Sequence, residues 1–198
     1  MNKALIGILI VFIVWFLFFR STAVVLGPGV KAPNPPAQSK PTSLETRQVE
    51  GYTITNVADF NATAKVLGKR NYTFGRESDI SPTDLALGWG NMSDEAVLQH
   101  INISQSRRFY FWRVKQFPIP RREIETSSAN MHIIPANPVV ESELKRVREG
   151  DIIQMRGALV NVHADSGQWW WNSSKTRNDT GNGACEIVWV EQLFIVTP

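Results

Sequence analysis

Three consecutive tryptophans, Trp169, Trp170 and Trp171, are the residues whose spacing points most directly to ligand contact. On a β-strand successive side chains point to opposite faces, so Trp169 and Trp171 share one face and Trp170 occupies the other. Indole rings carry large apolar areas, and two such faces rarely both stay in water. We expect one face to pack in the core. The other then meets a partner protein, a ligand such as a sugar ring or a peptide, or the chain's own loop Ser174–Ala184.

Basic residues provide a second candidate surface. Six arginines and lysines fall within sixteen residues: Arg107, Arg108, Arg113, Lys115, Arg121 and Arg122. The plain alternative is a solvated strand face, neutralised further on by Glu123 and Glu125. We take Arg107 and Arg108, together with Arg177 after the tryptophans, as predicted partner-binding residues.

Cys185 and His132 raise the alternative of nucleophilic catalysis in an envelope hydrolase or transferase. A cysteine nucleophile needs a nearby base, and sequence separation neither provides nor forbids that proximity. Cys185 is the only cysteine, so it forms no intramolecular disulfide. A lone cysteine opening a strand is typically a small buried apolar residue, and His132 between Met131 and Ile133 is typical of a structural histidine. We therefore predict no catalytic residues.

Trp89 stands between two glycines just before a predicted helix, in Leu87–Asp94. Glycines permit close backbone approach and a helix N-terminus favours anions, so Trp89 joins the candidate ligand-binding residues. A tight loop fixed by a buried tryptophan is the structural alternative.

Metal and cofactor binding have no motif behind them. The histidines His100, His132 and His163 lack the close spacing of a metal-ligand set. Neither of the common glycine-rich nucleotide motifs occurs in the chain. We predict no cofactor and no metal.

The elements that must position these residues are mostly strands. Alternating polarity predicts partner strands at Tyr52–Val57 and Phe60–Val66, and apolar runs predict four more. Capping residues predict helices at Asp94–Ile101, with Ser93 as its cap, and at Pro138–Glu149, with Asn137 as its cap. The four further strands are Arg108–Gln116, Asp151–His163, Gln168–Ser173 and Cys185–Val196.

The order of elements in the C-terminal part, a helix, a long strand, a hairpin and a closing strand, resembles small five-stranded barrels of the oligomer-binding (OB) type. Gly157 interrupts the long strand and predicts a bulge or a barrel corner. Binding of a single-stranded nucleic acid or a glycan on the barrel face would require Trp170 or its neighbours to be exposed in a groove.

The N-terminal residues predict that the protein is attached to a membrane. Residues Ala4–Phe19 are sixteen uninterrupted apolar residues, which cover roughly 24 Å as a helix and predict a short membrane anchor. Trp15 and Phe16 lie near its end, Arg20 follows it, and Ser21–Leu26 is expected to extend it. A cleaved signal peptide is the alternative, disfavoured by the length of the run and by its bulky end.

The short N-terminal tail favours a cytoplasmic N-terminus and an outer domain on the other side of the membrane. In a bacterium this membrane is the inner membrane and the outer domain lies in the periplasm. Five of the eleven prolines lie within residues 28–41, which predicts a semi-extended spacer. Without Lys3 and Arg20 the remaining 19 basic residues (21 less 2) meet 18 acidic ones, which gives nucleic-acid binding no support.

Four segments are distributed along most of the outer domain: Ser81–Asp94 (SPTDLALGWGNMSD), Ile103–Trp112 (ISQSRRFYFW), Ile119–Asn137 (IPRREIETSSANMHIIPAN) and Thr176–Glu191 (TRNDTGNGACEIVWVE). Together they resemble a family of uncharacterised proteobacterial envelope proteins. The resemblance implies a membrane-tethered product and brings no known activity or catalytic residues.

The sequence thus predicts one N-terminal transmembrane helix within residues 1–26, a proline-rich linker at 27–48 and a β-rich α+β domain at 49–198. Its predicted function is non-enzymatic binding or assembly, as a subunit or accessory factor that meets another envelope protein.

Overall fold

The structure is a computed structural model, and it describes residues 23–176 and 185–197. The predicted anchor Ala4–Phe19, with Trp15, Phe16 and Arg20, and the predicted contact residue Arg177 lie outside these residues. Within the described part, no helix has the length and apolar character needed to span a bilayer.

The described residues form a β-rich domain with a mixed sheet and short helices, as expected. The strands are β1 (Ala37–Ser39), β2 (Thr46–Val49), β3 (Tyr52–Asn71), β4 (Thr83–Gly88), β5 (Ile101–Ser106), β6 (Phe109–Val114), β7 (Ser128–Pro135), β8 (Ile152–Ala164), β9 (Trp170–Asn172) and β10 (Glu186–Ile195). The helices are α1 (Glu77–Ile80), α2 (Glu95–Leu98), α3 (Arg121–Thr126) and α4 (Pro138–Arg146), with a 3-10 turn at Gly90–Ser93.

Five strands close into a ring in the order β3–β4–β7–β10–β8, because β8 also pairs with β3. Within this ring the β7–β10 pair is parallel and the other pairs are antiparallel. The ring therefore uses strands from residue 52 onward, whereas a barrel was expected in the C-terminal part alone. Its long wall is β3, where a bulge near Val57 joins the two predicted strands into one.

The inside of the ring is apolar because alternate residues of each strand point inward. Phe60, Leu85, Met131, Leu159 and Val188 are fully or almost fully buried there. Helix α4 covers this core with apolar side chains, and its N-cap is Asn137 as predicted, whose Oδ1 accepts from two backbone N–H groups.

Gly157 lies where β8 meets a bulge in β10. A Cβ at this position would lie 1.9 Å from the carbonyl oxygen of Trp189, so the strands come together there only without a side chain. The predicted barrel corner is thus a close backbone approach.

The segment expected to be a spacer instead lies against the domain. Strands β1 and β2 pair with β3, and Ser93 Oγ accepts from the N–H groups of Lys31 and Ala32 at 3.0 Å each. The expectation of a free linker is wrong because its backbone finds hydrogen-bond partners on the barrel, and prolines fit such edge positions.

The predicted helical extension to Leu26 is likewise wrong for its described residues. Val24 N–H donates to the Glu149 carbonyl at 2.7 Å, and Leu26 N–H donates to Glu95 Oε1 at 2.9 Å. These donors bind the domain rather than a preceding helical turn. Ser93 also caps no helix, since Asp94 is the N-cap of α2.

Candidate functional site

A groove of about 870 Å³ lies on the outer face of the ring. Arg70, Asp84 and His132 occupy paired positions on β3, β4 and β7, and they face away from the core residues Leu85 and Met131. The lining comes from the β5–β6 hairpin, the end of β3 and the chain after it, β7, β9 and Cys185. Its lining residues are Arg70, Tyr72, Phe74, Glu77, Ser106, Arg107, Arg108, Phe109, His132, Trp170, Trp171, Asn172 and Cys185.

Arg107 and Arg108 form the two-residue turn of the β5–β6 hairpin. Both have positive φ, +51° and +68°, which a tight hairpin requires and for which Asn and Gly are normally chosen. Each arginine costs about 1 kcal/mol in this conformation. Tyr72 Oη accepts from Arg108 N–H at 3.0 Å, and Asn130 Nδ2 donates to the Arg108 carbonyl at 3.0 Å, which holds the turn in place.

Below the turn, a buried carboxylate on β4 links this strand to β7 and to the hairpin turn. Asp84 is fully buried, and its Oδ1 accepts from Arg108 Nη1 at 2.8 Å and from His132 Nδ1 at 2.9 Å. An ionised carboxylate can only accept, so His132 carries its proton on Nδ1. Asn130 Nδ2 adds a longer contact of 3.4 Å to Oδ2.

The two terminal nitrogens of the Arg108 guanidinium differ, because Nη1 has partners and Nη2 has none among the described residues. Nη1 also donates to the Ser81 carbonyl at 2.8 Å, and the guanidinium lies 3.9 Å from the Tyr72 ring centroid, a cation–π geometry. Nη2 is buried and has no hydrogen-bond partner in residues 23–176 and 185–197. An unpaired buried donor costs about 1–3 kcal/mol, and an anion or a water at this point would relieve that cost.

The tryptophans divide as the strand period predicted. Trp169 and Trp171 are half-buried and packed on the outer core, with the Trp171 ring 4.5 Å from the His132 ring. Trp170 points outward and is 65% exposed at the edge of the groove. The exposure that stacking would require is therefore present at Trp170.

The charges of the groove are unequal. Three arginines line it, and Glu77 is the one carboxylate among the lining residues. Burial, together with the Asp84 charge, raises the pKa of Tyr72 above its usual value despite the opposing N–H bond, so this hydroxyl stays neutral. The surface that a ligand meets is cationic and aromatic.

Of the remaining predicted residues, Cys185 and His132 lie at the groove and Trp89 does not. Cys185 and His132 both line the groove, and the Cys185 thiol lies 3.9 Å from the Arg108 carbonyl, a contact that favours the protonated thiol. Trp89 is 3% exposed in the barrel core, so its predicted ligand-binding role is wrong.

Sequence reasoning missed several residues of this site, and the charged network and its aromatic cover include three of them: Arg70, Tyr72 and Asp84. The signal for Asp84 was a carboxylate within the otherwise uncharged strand Thr83–Gly88, a position where burial demands a positive partner. Arg70 and Tyr72 gave no comparable signal, because Arg70 lies near the end of a long strand of ordinary alternation and Tyr72 directly follows that strand.

The described residues contain no group of three or more side chains suited to holding a metal ion. No protein-family model matches the chain, and comparisons with curated proteins and with solved structures also find no match.

Proposed function

We propose that this protein is a non-catalytic binding module of the bacterial cell envelope. Residues Ala4–Phe19 anchor it in the inner membrane with the N-terminus in the cytoplasm, and the β-rich domain lies in the periplasm. The groove binds an acidic, extended segment of another envelope protein. The single observation that supports this most is a cationic, aromatic groove whose central arginine has one buried donor atom, Nη2, without a partner among the described residues.

The ring also supports a fold proposal. Its strand order, with one parallel pair and a helix between β7 and β8, is that of an oligomer-binding barrel. In such barrels ligands bind over the second and third strands, between the loop after the first strand and the loop before the last. The groove occupies the corresponding position here, and this is an analogy of fold.

An acidic peptide fits the chemistry of the groove better than the other candidates. Arg70 and Arg107 can each bind a carboxylate through two parallel N–H donors, and Trp170 offers a flat apolar surface to the neighbouring side chain. Nucleic acid fits poorly, because the numbers of basic and acidic residues in the outer domain are almost equal and binding to many phosphates needs an excess of positive charge.

The alternative is a hydrolase or transferase that uses Cys185 and His132. The specific observation in its favour is that Asp84 orients His132, as a carboxylate does in nucleophile–histidine–acid triads. Against it, the Cys185 thiol contacts a carbonyl oxygen, which does not stabilise a thiolate. Rapid alkylation of Cys185 by iodoacetamide near neutral pH would favour the enzyme.

The test is site-specific crosslinking of the full-length chain in cells. A photo-crosslinking residue replaces Trp170, and the matched control replaces Phe194, which is 56% exposed and lies outside the groove. We expect a protein adduct that depends on position 170 and disappears when Arg107→Glu is added. Equal adducts at both positions, or a glycan adduct instead of a protein, would contradict the proposal.

A further inference from the structure

The N-terminal residues of the described chain are fixed to the domain at a point next to the predicted anchor. Gly150 has φ +90°, and a Cβ there would lie 1.8 Å from the Val24 carbonyl oxygen. Ser93, Asp94 and Glu95 are consecutive acceptors for the backbone N–H groups of residues 26–32. Ala23 and Val24 therefore have a fixed place on the surface.

This attachment determines how far the domain can lie from the bilayer. Three residues lie between Phe19, the last apolar residue of the anchor, and Ala23, and the four Cα–Cα steps that join the two span at most about 14 Å. A free spacer would have allowed some 40 Å. The surface around Val24 must therefore lie at the headgroup level if the anchor spans the membrane.

The surface beside this point has the chemistry of a membrane contact. Val25 and Asn102 line the same cavity, and Asn102 pairs with Arg113 across the β5–β6 hairpin. On the hairpin's outer face and just beyond it, Phe111 and Phe117 are each 48% exposed. The other side of the hairpin packs on the domain through Ile101, Ile103, Tyr110, Trp112 and Val114.

Two cations accompany these aromatic rings. Arg113 and Lys115 are exposed, and neither forms an ion pair with any residue in the described ranges. Aromatic rings with free cations are the side-chain set that favours the membrane–water interface, the rings at headgroup depth and the cations on lipid phosphates.

We propose that the outer face of the β5–β6 hairpin, with Phe111, Arg113, Lys115 and Phe117, docks on the anionic headgroups of the bilayer that holds the anchor. This inference rests on the membrane tether of the proposed function and is independent of what the groove binds. The strap formed by residues 23–49 then holds the domain against the membrane in one orientation.

The experiment uses the full-length chain in vesicles that contain a quarter phosphatidylglycerol and a lipid with a headgroup quencher. A fluorophore is attached at Phe111→Cys or Lys115→Cys in a Cys185→Ala background. The control is Ser166→Cys, beyond the far end of β8, thirteen residues or roughly 40 Å along the strand from the Gly150 end. We expect strong quenching at both hairpin positions and little at Ser166.

A second experiment tests whether docking depends on the negative charge of the lipids. In vesicles of phosphatidylcholine alone, losing the attraction of two cations lowers the docked-to-free ratio by about fivefold per charge, so quenching at Phe111 falls. In case the labelled variants fold poorly, the unmodified chain is crosslinked to a lipid that carries a diazirine headgroup. Adducts are expected on residues 99–117 and not on 165–170.

The outcomes separate this inference from the proposed function. A chain that stays in the vesicles through carbonate extraction but shows no quenching or adducts on the hairpin overturns the docking surface alone. Release by carbonate overturns the tether and the docking surface together, and leaves the groove proposal intact.

Discussion

Removing the Asp84 carboxylate should destabilise the domain more than almost any other single polar change. Asp84 is fully buried and accepts from Arg108 and His132 at 2.8 and 2.9 Å. In Asp84→Ala the Arg108 guanidinium, 16% exposed, keeps its charge and loses its partner. Breaking a buried pair in this way costs about 3–5 kcal/mol. For a domain of this size that corresponds to a fall in Tm of roughly 10 °C or more.

The measurement is urea unfolding of the full-length chain in a mild detergent, followed by tryptophan emission. Trp171 lies 4.5 Å from the His132 ring, so its emission reports on this network directly. The matched control is a double-mutant cycle with Arg108→Met. Because the double variant no longer buries an unpaired charge, Asp84→Ala/Arg108→Met should lose at least about 2 kcal/mol less than the sum of the losses in Asp84→Ala and in Arg108→Met.

Two results would refute this reasoning. A loss below about 1 kcal/mol in Asp84→Ala would mean that the guanidinium finds water or another acceptor without cost, as surface pairs do. If the free-energy losses of the two single variants simply added up in the double variant, Asp84 and Arg108 would act independently. The buried ion pair beneath the groove would then not contribute to stability.

Three further changes test the strap, the turn and the barrel corner. Burial raises the pKa of Glu95, but hydrogen bonds from the strap and from Lys65 outweigh this effect and hold the pKa below its usual 4.5. The contribution of Glu95 to stability is therefore present above pH 4.5 and is lost as the pH falls through the lower pKa of the folded state. Glu95→Gln should lower Tm at pH 7 and lower it less at pH 3, and an equal fall in Tm at both pH values would contradict this. Arg107→Gly relieves a positive φ and should raise stability by about 1 kcal/mol while weakening crosslinking through the groove; a fall in stability would show that its side chain matters more than its backbone. Gly157→Ala places a methyl group 1.9 Å from a backbone carbonyl and should lower Tm by several degrees, with exposed Ala37→Gly on the edge strand as control; an unchanged Tm would mean that the two strands can separate there.

Local sequence patterns predicted several strands of the ring and the helix that covers it, but they did not predict that β3 and β8 pair to close the ring. Alternation identified the halves of β3, and Asn137 before Pro138 identified the start of α4, because these signals lie within a few residues of one another. The pairing of β3 with β8 joins residues about a hundred positions apart, and nothing local encodes it. The proline-rich segment misled for the same reason: its composition describes an isolated chain, and its hydrogen-bond partners lie on distant strands.

The sequence made several residues of the candidate site predictable, but it did not predict where in the fold these residues meet. Tryptophans and arginines stand out by composition, and the strand period correctly separated Trp170 from its two neighbours. Their meeting with Asp84 and Tyr72 depends on the ring, which brings β4, β7, β9 and the hairpin turn together. Trp89 failed because a glycine-flanked tryptophan has the same sequence signature in a core as in a ligand loop.

The β5–β6 hairpin connects the two proposals physically. Phe109 lines the groove and packs 6.3 Å from Phe111, which belongs to the proposed membrane face. A hairpin docked through Phe111 would therefore hold the groove at a fixed height and angle above the bilayer. A partner anchored in the same membrane would then meet the groove without a search in three dimensions, and this raises its effective concentration. Freeing the strap with Ser93→Ala and Asp94→Ala should accordingly weaken crosslinking to a membrane-anchored partner and leave binding of a soluble acidic peptide unchanged; equal loss of both would mean that the strap shapes the groove itself.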